Sequence, residues 1–389
     1  MRVVFFAQFM PDPCGAYFHD VAMAKELQRR GHSVNFVTMS KPVNGKQGVY
    51  RGIPWKHYTM SESELNGGNI WCTPHFPFLK LVRKLNERFQ KPMLVTMHFG
   101  EDTESVRDYT RLGKWTEILW VISDHIKEHV VNTIPLSPAF KHIESVRPMM
   151  LENELKFQER GTLPTGDCIT IVNANVMKGL GIFLELARRF PNKKFLGIRP
   201  YYNKINVPEN IQNIEWINIQ DDIRTVLQRT RIMLVGSMYE SWGRVAFESM
   251  YNGIPVLHTK PFERTDSRAR PSGSTEGMCE WIKDSQFACS YDTIDDWENA
   301  VKALDDPETY ASYSKKAYDR TYEMDVFSDI TTVERKLIDY ANTYPPPSDL
   351  NGKAQIMAKQ QPGAALQIRM PVAAGNGLPF RGGRFAVRR

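Results

Sequence analysis

Short apolar runs alternate with stretches of helical periodicity in the first part of the chain. Residues 2–8 and 34–38 read as strands, and residues 18–30 between them have the spacing of a helix. Residues 93–96 and 118–122 are further apolar runs of the length of buried strands. A strand, a helix and a second strand in this order predict a parallel sheet covered by helices.

The same alternation resumes after a polar, turn-rich segment at residues 156–168, which we predict to be a linker. Later apolar runs predict strands at 169–173, 194–198, 214–218, 231–236 and 254–257. Helical spacing predicts helices at 179–190, 221–229, 243–252, 294–304, 307–322 and 327–342. The pattern therefore predicts an α/β protein with two Rossmann-like domains. Ligands of such sheets bind beyond the carboxyl ends of the strands.

The predicted domains are followed by a basic tail. We place an N-terminal domain at residues 1–160 and a C-terminal domain at 161–326. Residues 344–389 are rich in Pro, Gly, Ala and Gln and lack apolar periodicity, which is typical of disorder. Residues 351–389 carry a charge of +7 with no acidic residue, whereas the net charge of the whole chain is +6. The body of the protein is therefore nearly neutral, and it is not a basic domain.

Composition indicates a packed protein without a membrane span. The 389 residues, 42% of them apolar, suffice for two cores. No apolar run reaches the roughly 18 residues of a membrane helix, and the first residues lack the layout of a signal peptide. We expect a soluble, cytoplasmic protein. The five cysteines are widely spaced and odd in number, so reduced thiols are expected.

Residues 237–256 carry the most informative chemistry, because two glutamates there, Glu240 and Glu248, are separated by seven residues. One continuous helix would place them about 12 Å apart along its axis. We therefore predict Glu240 in the loop before a helix and Glu248 one to two turns inside it. The N–H groups at a helix start suit phosphates, and carboxylates suit sugar hydroxyls. A phosphorylated, hydroxyl-rich ligand is predicted, with two ordinary surface glutamates as the alternative.

This segment resembles the donor-binding signature of retaining glycosyltransferases of the GT-B fold, in the family 4-like group called glycosyl transferases group 1. Other elements of that family resemble residues 14–34, 171–179, 222–231 and 277–280. The resemblance covers residues 1 to about 340 and is weak between about 35 and 165. It implies two Rossmann-like domains that face each other across a cleft. It also implies that helix 327–342 crosses back to the first domain.

The resemblance implies roles for individual residues. Lys178 is expected to contact the donor's diphosphate, Glu240 the hydroxyls of the donor sugar, and Glu248 the ribose. His98 is expected to approach the reacting face of the sugar, where it would donate or accept a hydrogen bond or stabilise positive charge. The alternatives are structural: Lys178 could be a solvated lysine, and His98 could be a structural histidine at the end of a strand. The remaining expected donor contacts are Gly15, Ser237, Trp242, Gly243 and Arg244.

Several expectations have open alternatives. The family has an arginine a few residues before the lysine, where this chain has Asn173 and Asn175. We hypothesise that Arg199, after the neighbouring predicted strand, supplies the second positive charge, although it could be an ordinary loop arginine. Arg244 could instead face solvent at a helix start. The weaker candidates are Asp12 for the acceptor, Asp102 beside His98, and Ser123, which could be only a helix N-cap.

The chain has no Asp-x-Asp sequence, the motif with which the metal-dependent transferase fold holds a divalent ion. We therefore expect catalysis without a metal, by Lys178, helix amides and Arg199. No cofactor is expected, since the nucleotide-sugar is a co-substrate.

The expected reaction is transfer of a sugar from a UDP- or GDP-linked donor to a hydroxyl acceptor with retention of configuration. The acceptor is not determined by the sequence. No basic amphipathic helix that would match a lipid-facing surface is expected near residues 60–90, although residues 80–88 are a short basic stretch and a membrane-bound acceptor stays an open alternative. The basic tail makes a hydroxymethylated base of phage DNA an alternative acceptor, and duplex binding with and without residues 344–389 would test it. A catalytically inactive GT-B-like scaffold is an alternative of another class, which donor hydrolysis would distinguish.

Overall fold

The protein is described here from a computed structural model, which covers residues 1–11, 14–40, 45–74, 78–98, 117–133, 140–200, 211–262 and 275–343. Within these residues the chain forms two β-sheets, one after the other along the sequence. Both lie in one compact unit, Met1–Pro345. The predicted α/β class with two parallel-sheet domains is confirmed.

The first sheet contains eight strands in the order β3-β4-β2-β1-β5-β6-β7-β8. Its strands are β1 Arg2–Ala7, β2 Ser33–Thr38, β3 Gln47–Tyr50, β4 Ile53–His57, β5 Ile70–Pro74, β6 Met93–Met97, β7 Glu117–Val121 and β8 Phe140–Ser145. All neighbouring pairs are parallel except β3 and β4, which form an antiparallel hairpin at one edge. The central strands β1, β5 and β6 are buried along almost their whole length because helices cover both faces of a parallel sheet.

The described helices of the first half are α1 Gly15–Arg29, α2 Glu62–Gly67, α3 Leu79–Phe89, α4 Asp124–Thr133 and α5 Glu152–Leu155. The expectation of no basic amphipathic helix near residues 60–90 is wrong, because α3 is such a helix. Its apolar side chains at 79, 82 and 85 are buried, whereas Lys80, Lys84 and Arg88 are exposed. Apolar residues three apart place one face on the core and leave these three charges outside, although Arg83 of the same helix is buried.

The second sheet contains six parallel strands in the order β11-β10-β9-β12-β13-β14. Its strands are β9 Cys168–Ile171, β10 Lys194–Ile198, β11 Ile214–Ile217, β12 Thr230–Val235, β13 Val256–Thr259 and β14 Phe287–Cys289. The helices are α6 Leu180–Arg189, α7 Arg224–Leu227, α8 Arg244–Met250, α9 Glu276–Ile282, α10 Ile294–Ala303, α11 Pro307–Met324 and α12 Asp329–Thr343. The predicted helices and strands of this half are present, with bounds that differ by a few residues.

Helix α12 packs on the first sheet rather than on the second, although it follows the second in the chain. Its buried residues Ile330, Val333 and Leu337 join the apolar core that contains β1 and α1. Arg30 donates to Glu334 at 2.9 Å, and Arg147 forms an ion pair with Asp329 at 2.5 Å. The chain therefore returns to the first sheet at its C-terminal end.

No helix among the described residues is both long and apolar enough to cross a membrane.

A candidate active site between the two sheets

A cleft of 630 Å³ lies between the two sheets and receives residues from both. On the first-sheet side it is lined by Gly15 and His98, which follow β1 and β6. On the second-sheet side it is lined by Lys178, Arg199 and residues of the 237–248 segment. All of these positions follow the carboxyl ends of parallel strands, where ligands of such sheets bind. The volume is in the usual range for a small-molecule site.

Lys178, Glu240 and Ser237 form one contact cluster on the second-sheet side. The ammonium of Lys178 lies 2.5 Å from Oε1 of Glu240, and the Ser237 hydroxyl donates to the same oxygen at 2.7 Å. Glu240 is buried, whereas about 30% of the Lys178 side chain is exposed in the cleft. A buried carboxylate held by two donors therefore stands beside a cation that still reaches solvent.

The position of Lys178 is fixed by the turn that carries it. The Asn175 side chain accepts from the Lys178 N–H at 3.2 Å and caps a single 3₁₀ turn. Gly179 follows with φ at +86°, and a Cβ at Gly179 would lie 2.2 Å from the carbonyl oxygen of Gly236. Two backbone segments thus approach closely at Gly179 and Gly236, which brings the turn after β9 against the loop after β12.

The two glutamates of the 237–256 segment are placed as predicted, with Glu240 in the loop and Glu248 in the second turn of α8. Glu248 is buried, and its Oε1 accepts from Nε of Arg244 at 2.6 Å. Nη1 of Arg244 donates to the carbonyl of Met149 at 3.3 Å. The alternative that Arg244 merely faces solvent is wrong, because only 25% of its side chain is exposed and its guanidinium bonds both to Glu248 and to the segment after β8.

Trp242 and Gly243, which both line the cleft, have different surroundings. The Trp242 indole stacks on Trp281 with ring centroids 5.1 Å apart and is only 2% exposed, so the ring belongs to the core. A role of Trp242 toward a ligand is therefore limited to its backbone. Gly243 has φ at +74°, which a side chain would strain, and it is the residue that precedes α8.

Arg199 lies next to the position of the missing family arginine. It follows β10, the sheet neighbour of β9, and the Ala174 N–H bonds to the carbonyl of Ile198 at 2.9 Å. Asn173, next to Ala174, has φ at +58° and also lines the cleft. The Arg199 side chain is exposed on the cleft wall. The geometry is compatible with the hypothesis that Arg199 replaces an arginine near 173.

His98 is the titratable group of the first-sheet wall. Only 7% of it is exposed, and its Nε2 has no hydrogen-bond partner within the described ranges. Burial, together with the nearby charge of Arg244, lowers the pKa of His98 to about 3. His98 is therefore a neutral imidazole near neutral pH, able to donate or accept one hydrogen bond at each ring nitrogen.

Gly15 lies at the start of α1 and lines the same cleft, but a Cβ there would meet no protein atom within 4 Å. The chain itself therefore does not require a glycine at this position. Asp12, Asp102 and the basic tail fall outside the described residues.

Sequence reasoning missed the contacts of two residues, Arg51 at the cleft and Glu280, which it named only as part of the segment 277–280. Arg51, on the β3–β4 turn, lines the cleft and bonds to Glu154 at 3.0 Å. Glu280 accepts from the backbone N–H groups of Asp124 and His125 at 3.1 and 2.9 Å, the first two amides of α4. Ser123 accepts from the Ile126 N–H at 3.3 Å, so the N-cap alternative for Ser123 matches the structure. Both missed residues act across long sequence separations, for which a single sequence carries no signal.

No group of three or more His, Cys, Asp or Glu side chains suited to a metal ion occurs in the described part of the chain.

Comparison with known proteins agrees with this architecture. The family model described as glycosyl transferases group 1 matches residues 201–267. No curated protein sequence matches the chain. The resemblance to the group 1 glycosyltransferases is thus confirmed over residues 201–267.

Solved structures of low sequence identity share the fold. A sucrose-phosphate synthase from Thermosynechococcus elongatus is 11% identical with a TM-score of 0.66, over 87% of this chain and 99% of that one. HepE of Anabaena in complex with UDP-glucose is 13% identical with a TM-score of 0.67, over 87% and 100%. An α-glucosyltransferase in complex with UDP and a 13-mer DNA containing an HMU base is 12% identical with a TM-score of 0.62, over 87% and 99%. The fold is therefore GT-B.

Proposed function

We propose that this chain, a glycosyltransferase by its group 1 segment and its GT-B fold, transfers a sugar from a UDP- or GDP-linked donor to a hydroxyl acceptor with retention of configuration. One observation carries the proposal. A single cleft places Lys178, Glu240 and Ser237 on one wall and His98 on the other. A cation, a sugar-binding carboxylate and a neutral imidazole thus surround one ligand-sized space.

Each group has a defined task in the proposed reaction. The bond between the anomeric carbon and the donor phosphate breaks, and the acceptor oxygen attacks the same face of the sugar. The leaving phosphate takes the acceptor's proton, and Lys178 stabilises the negative charge that develops on the diphosphate. Glu240 and Ser237 hold the sugar hydroxyls, while His98 donates or accepts a hydrogen bond at the reacting face. The absence of an Asp-x-Asp motif from the chain supports catalysis without a metal.

Glu248 is proposed to bind the ribose of the donor, since a carboxylate accepts hydrogen bonds from vicinal hydroxyls. A ligand that binds only the folded state raises the melting temperature. We expect one UDP- or GDP-linked sugar to raise it in the wild type and to raise it much less in Glu248→Ala. Loss of charged hydrogen bonds of about 1.5–3 kcal/mol would weaken binding roughly 10- to 100-fold.

The matched control is Glu185→Ala, which removes another helix glutamate that is paired with an arginine four residues away but lies outside the cleft lining. It is expected to retain the full ligand-induced shift. Equal shifts in wild type and Glu248→Ala would refute the ribose role. No shift with any nucleotide-sugar in the folded wild type would refute the transferase proposal in favour of an inactive scaffold.

Arg199 is proposed to supply the second positive charge for the diphosphate. Because its side chain is exposed and screened by solvent, we expect Arg199→Ala to weaken donor binding only about threefold to tenfold. Arg188→Ala, on the exposed side of α6 outside the cleft lining, is the control and should bind donor like the wild type. Donor titration checks both variants, and unchanged affinity in Arg199→Ala would remove Arg199 from the site.

A further inference from the structure

His19 is a fully buried histidine that has no part in the expected site, yet it lies directly against His98. It is located on α1 and is 0% exposed, and its ring centroid is 5.3 Å from that of His98 with the two planes at 73°. Its Nδ1 accepts from the Met149 N–H at 2.8 Å. An acceptor at Nδ1 leaves the proton of the neutral ring on Nε2, so this one bond sets the tautomer of His19.

The backbone of Met149, whose N–H donates to His19, is also held from the second sheet through its carbonyl. Its carbonyl accepts from Nη1 of Arg244, and Nε of Arg244 donates to Glu248. A continuous path therefore runs from the carboxylate proposed to bind ribose, through Arg244 and the two peptide groups that flank the Cα of Met149, to His19 and the ring of His98. Each step except the last is a hydrogen bond of 2.6 to 3.3 Å, and the last is an edge-to-face ring contact.

The charged and titratable neighbours of His19 are few among the described residues. Oδ1 of Asp20 lies 4.0 Å from Nε2 of His19, and Asp20 is itself buried. Burial lowers the pKa of His19 well below its usual range, and the neighbouring His98 and the positive Arg244 lower it further. The ring is therefore neutral, and Nε2 of His19 and Nε2 of His98 both lack a hydrogen-bond partner in the described ranges.

We propose that His19 is a positioning residue that orients His98 toward the cleft and couples this orientation to Glu248 through Met149 and Arg244. Only the expected effect of His19 on turnover rests on the proposed function. The path itself is a property of the folded chain and can be tested without a donor. Occupation of Glu248 by a ribose would change the partner of Arg244, and the Met149 peptide would pass this change to His98.

The test uses ¹⁵N-labelled histidine in the full-length protein and follows the ring nitrogens of His98 by NMR, with the signal assigned from its loss in His98→Gln. Glu248→Gln removes the charge that Arg244 binds. We expect this substitution to shift the His98 signal in an otherwise wild-type chain. The shift should disappear when His19→Leu breaks the path. An unshifted His98 signal in Glu248→Gln, or an equal shift with and without His19, would overturn the coupling.

Because His19→Leu leaves the Met149 N–H without its acceptor, a second variant guards against misfolding. His19→Asn keeps an acceptor near the Nδ1 position but removes the ring from His98, and it should likewise abolish the shift. In turnover, we expect both variants to lower kcat about tenfold while the donor Kd stays within twofold. A fall in donor affinity with unchanged kcat would contradict positioning of His98. A wild type that shows the coupling yet binds no nucleotide-sugar would instead refute the proposed function and leave the path established.

Discussion

Replacement of Lys178 by methionine is expected to lower the rate of nucleotide release by about 10²- to 10³-fold at saturating donor, which corresponds to about 2.7–4 kcal/mol. Methionine keeps the length and the apolar stem of lysine but removes the charge that would stabilise the departing diphosphate. The effect is expected in kcat more than in donor affinity, because charge on the leaving group grows as the bond breaks. Steady-state measurement of released nucleotide checks the prediction.

Two comparisons make this result specific. Lys194→Met removes an exposed lysine that pairs with Asp167 near the start of β10, outside the cleft lining, and it should turn over like the wild type. Loss of Lys178 also leaves Glu240 with the Ser237 hydroxyl as its partner within the cluster, so the melting temperature of each variant should be recorded. A folded Lys178→Met variant with unchanged kcat would remove the lysine from the chemistry.

Gly179→Ala is expected to produce a large loss of stability for the addition of a single methyl group near the site. The new Cβ would lie 2.2 Å from the carbonyl oxygen of Gly236 and 2.6 Å from its carbon, and φ at +86° is unfavourable for any side chain. Backbone cannot move aside as a flexible side chain can. Overpacking and strain together are expected to lower the free energy of unfolding by about 2–5 kcal/mol, measured by urea denaturation.

Gly181→Ala provides a matched control two residues away. Gly181 lies in the first turn of α6, and a Cβ there would meet no atom within 4 Å. Because alanine restricts the unfolded chain and favours helix, this variant should be as stable as the wild type or more stable by about 0.4–1 kcal/mol. Equal stability of the two variants would mean that the close approach of Gly179 and Gly236 does not exist in solution.

The fold of the second half was predictable because four of its strands, β9, β10, β12 and β13, are buried along most of their length and because glycine and proline separate its elements. Apolar runs such as Ile232–Val235 have the length and composition of buried strands. In the 237–256 segment, the seven residues between the two glutamates restrict how the two side chains can be placed relative to a helix. The placement of Glu240 before α8 and of Glu248 inside it followed from helix rise. Patterns among residues close in sequence were therefore enough to predict these strands and helices.

The first half was less predictable for physical reasons. The residues of β3 are mostly exposed, so the strand lacks the apolar alternation that marks a half-buried strand. The signal for α3 was present in the apolar residues at 79, 82 and 85 but was obscured by the basic residues between them. Its existence shows that charge does not argue against a helix when the apolar positions keep a helical period.

The long-range contacts at the cleft could not be predicted from one sequence. Lys178 and Glu240 are 62 residues apart, Arg244 and Met149 are 95 apart, and His19 and Met149 are 130 apart. Arg244 and Met149 join the two halves of the chain, whereas the other two pairs each join distant segments of one sheet's domain, and local periodicity encodes neither kind of contact. The sequence predicted which residue types would face a donor, whereas the structure adds the partners that hold them.

Titration of the purified wild type with UDP-glucose, and with a GDP-linked sugar in parallel, is the most direct test that this cleft binds a sugar donor. We predict saturable binding at one site per chain, weakened at least tenfold in Glu248→Ala and unchanged in Glu185→Ala. Failure of the folded wild type to bind any nucleotide or nucleotide-sugar, or equal affinity in Glu248→Ala, would contradict the assignment of the cleft as a donor site.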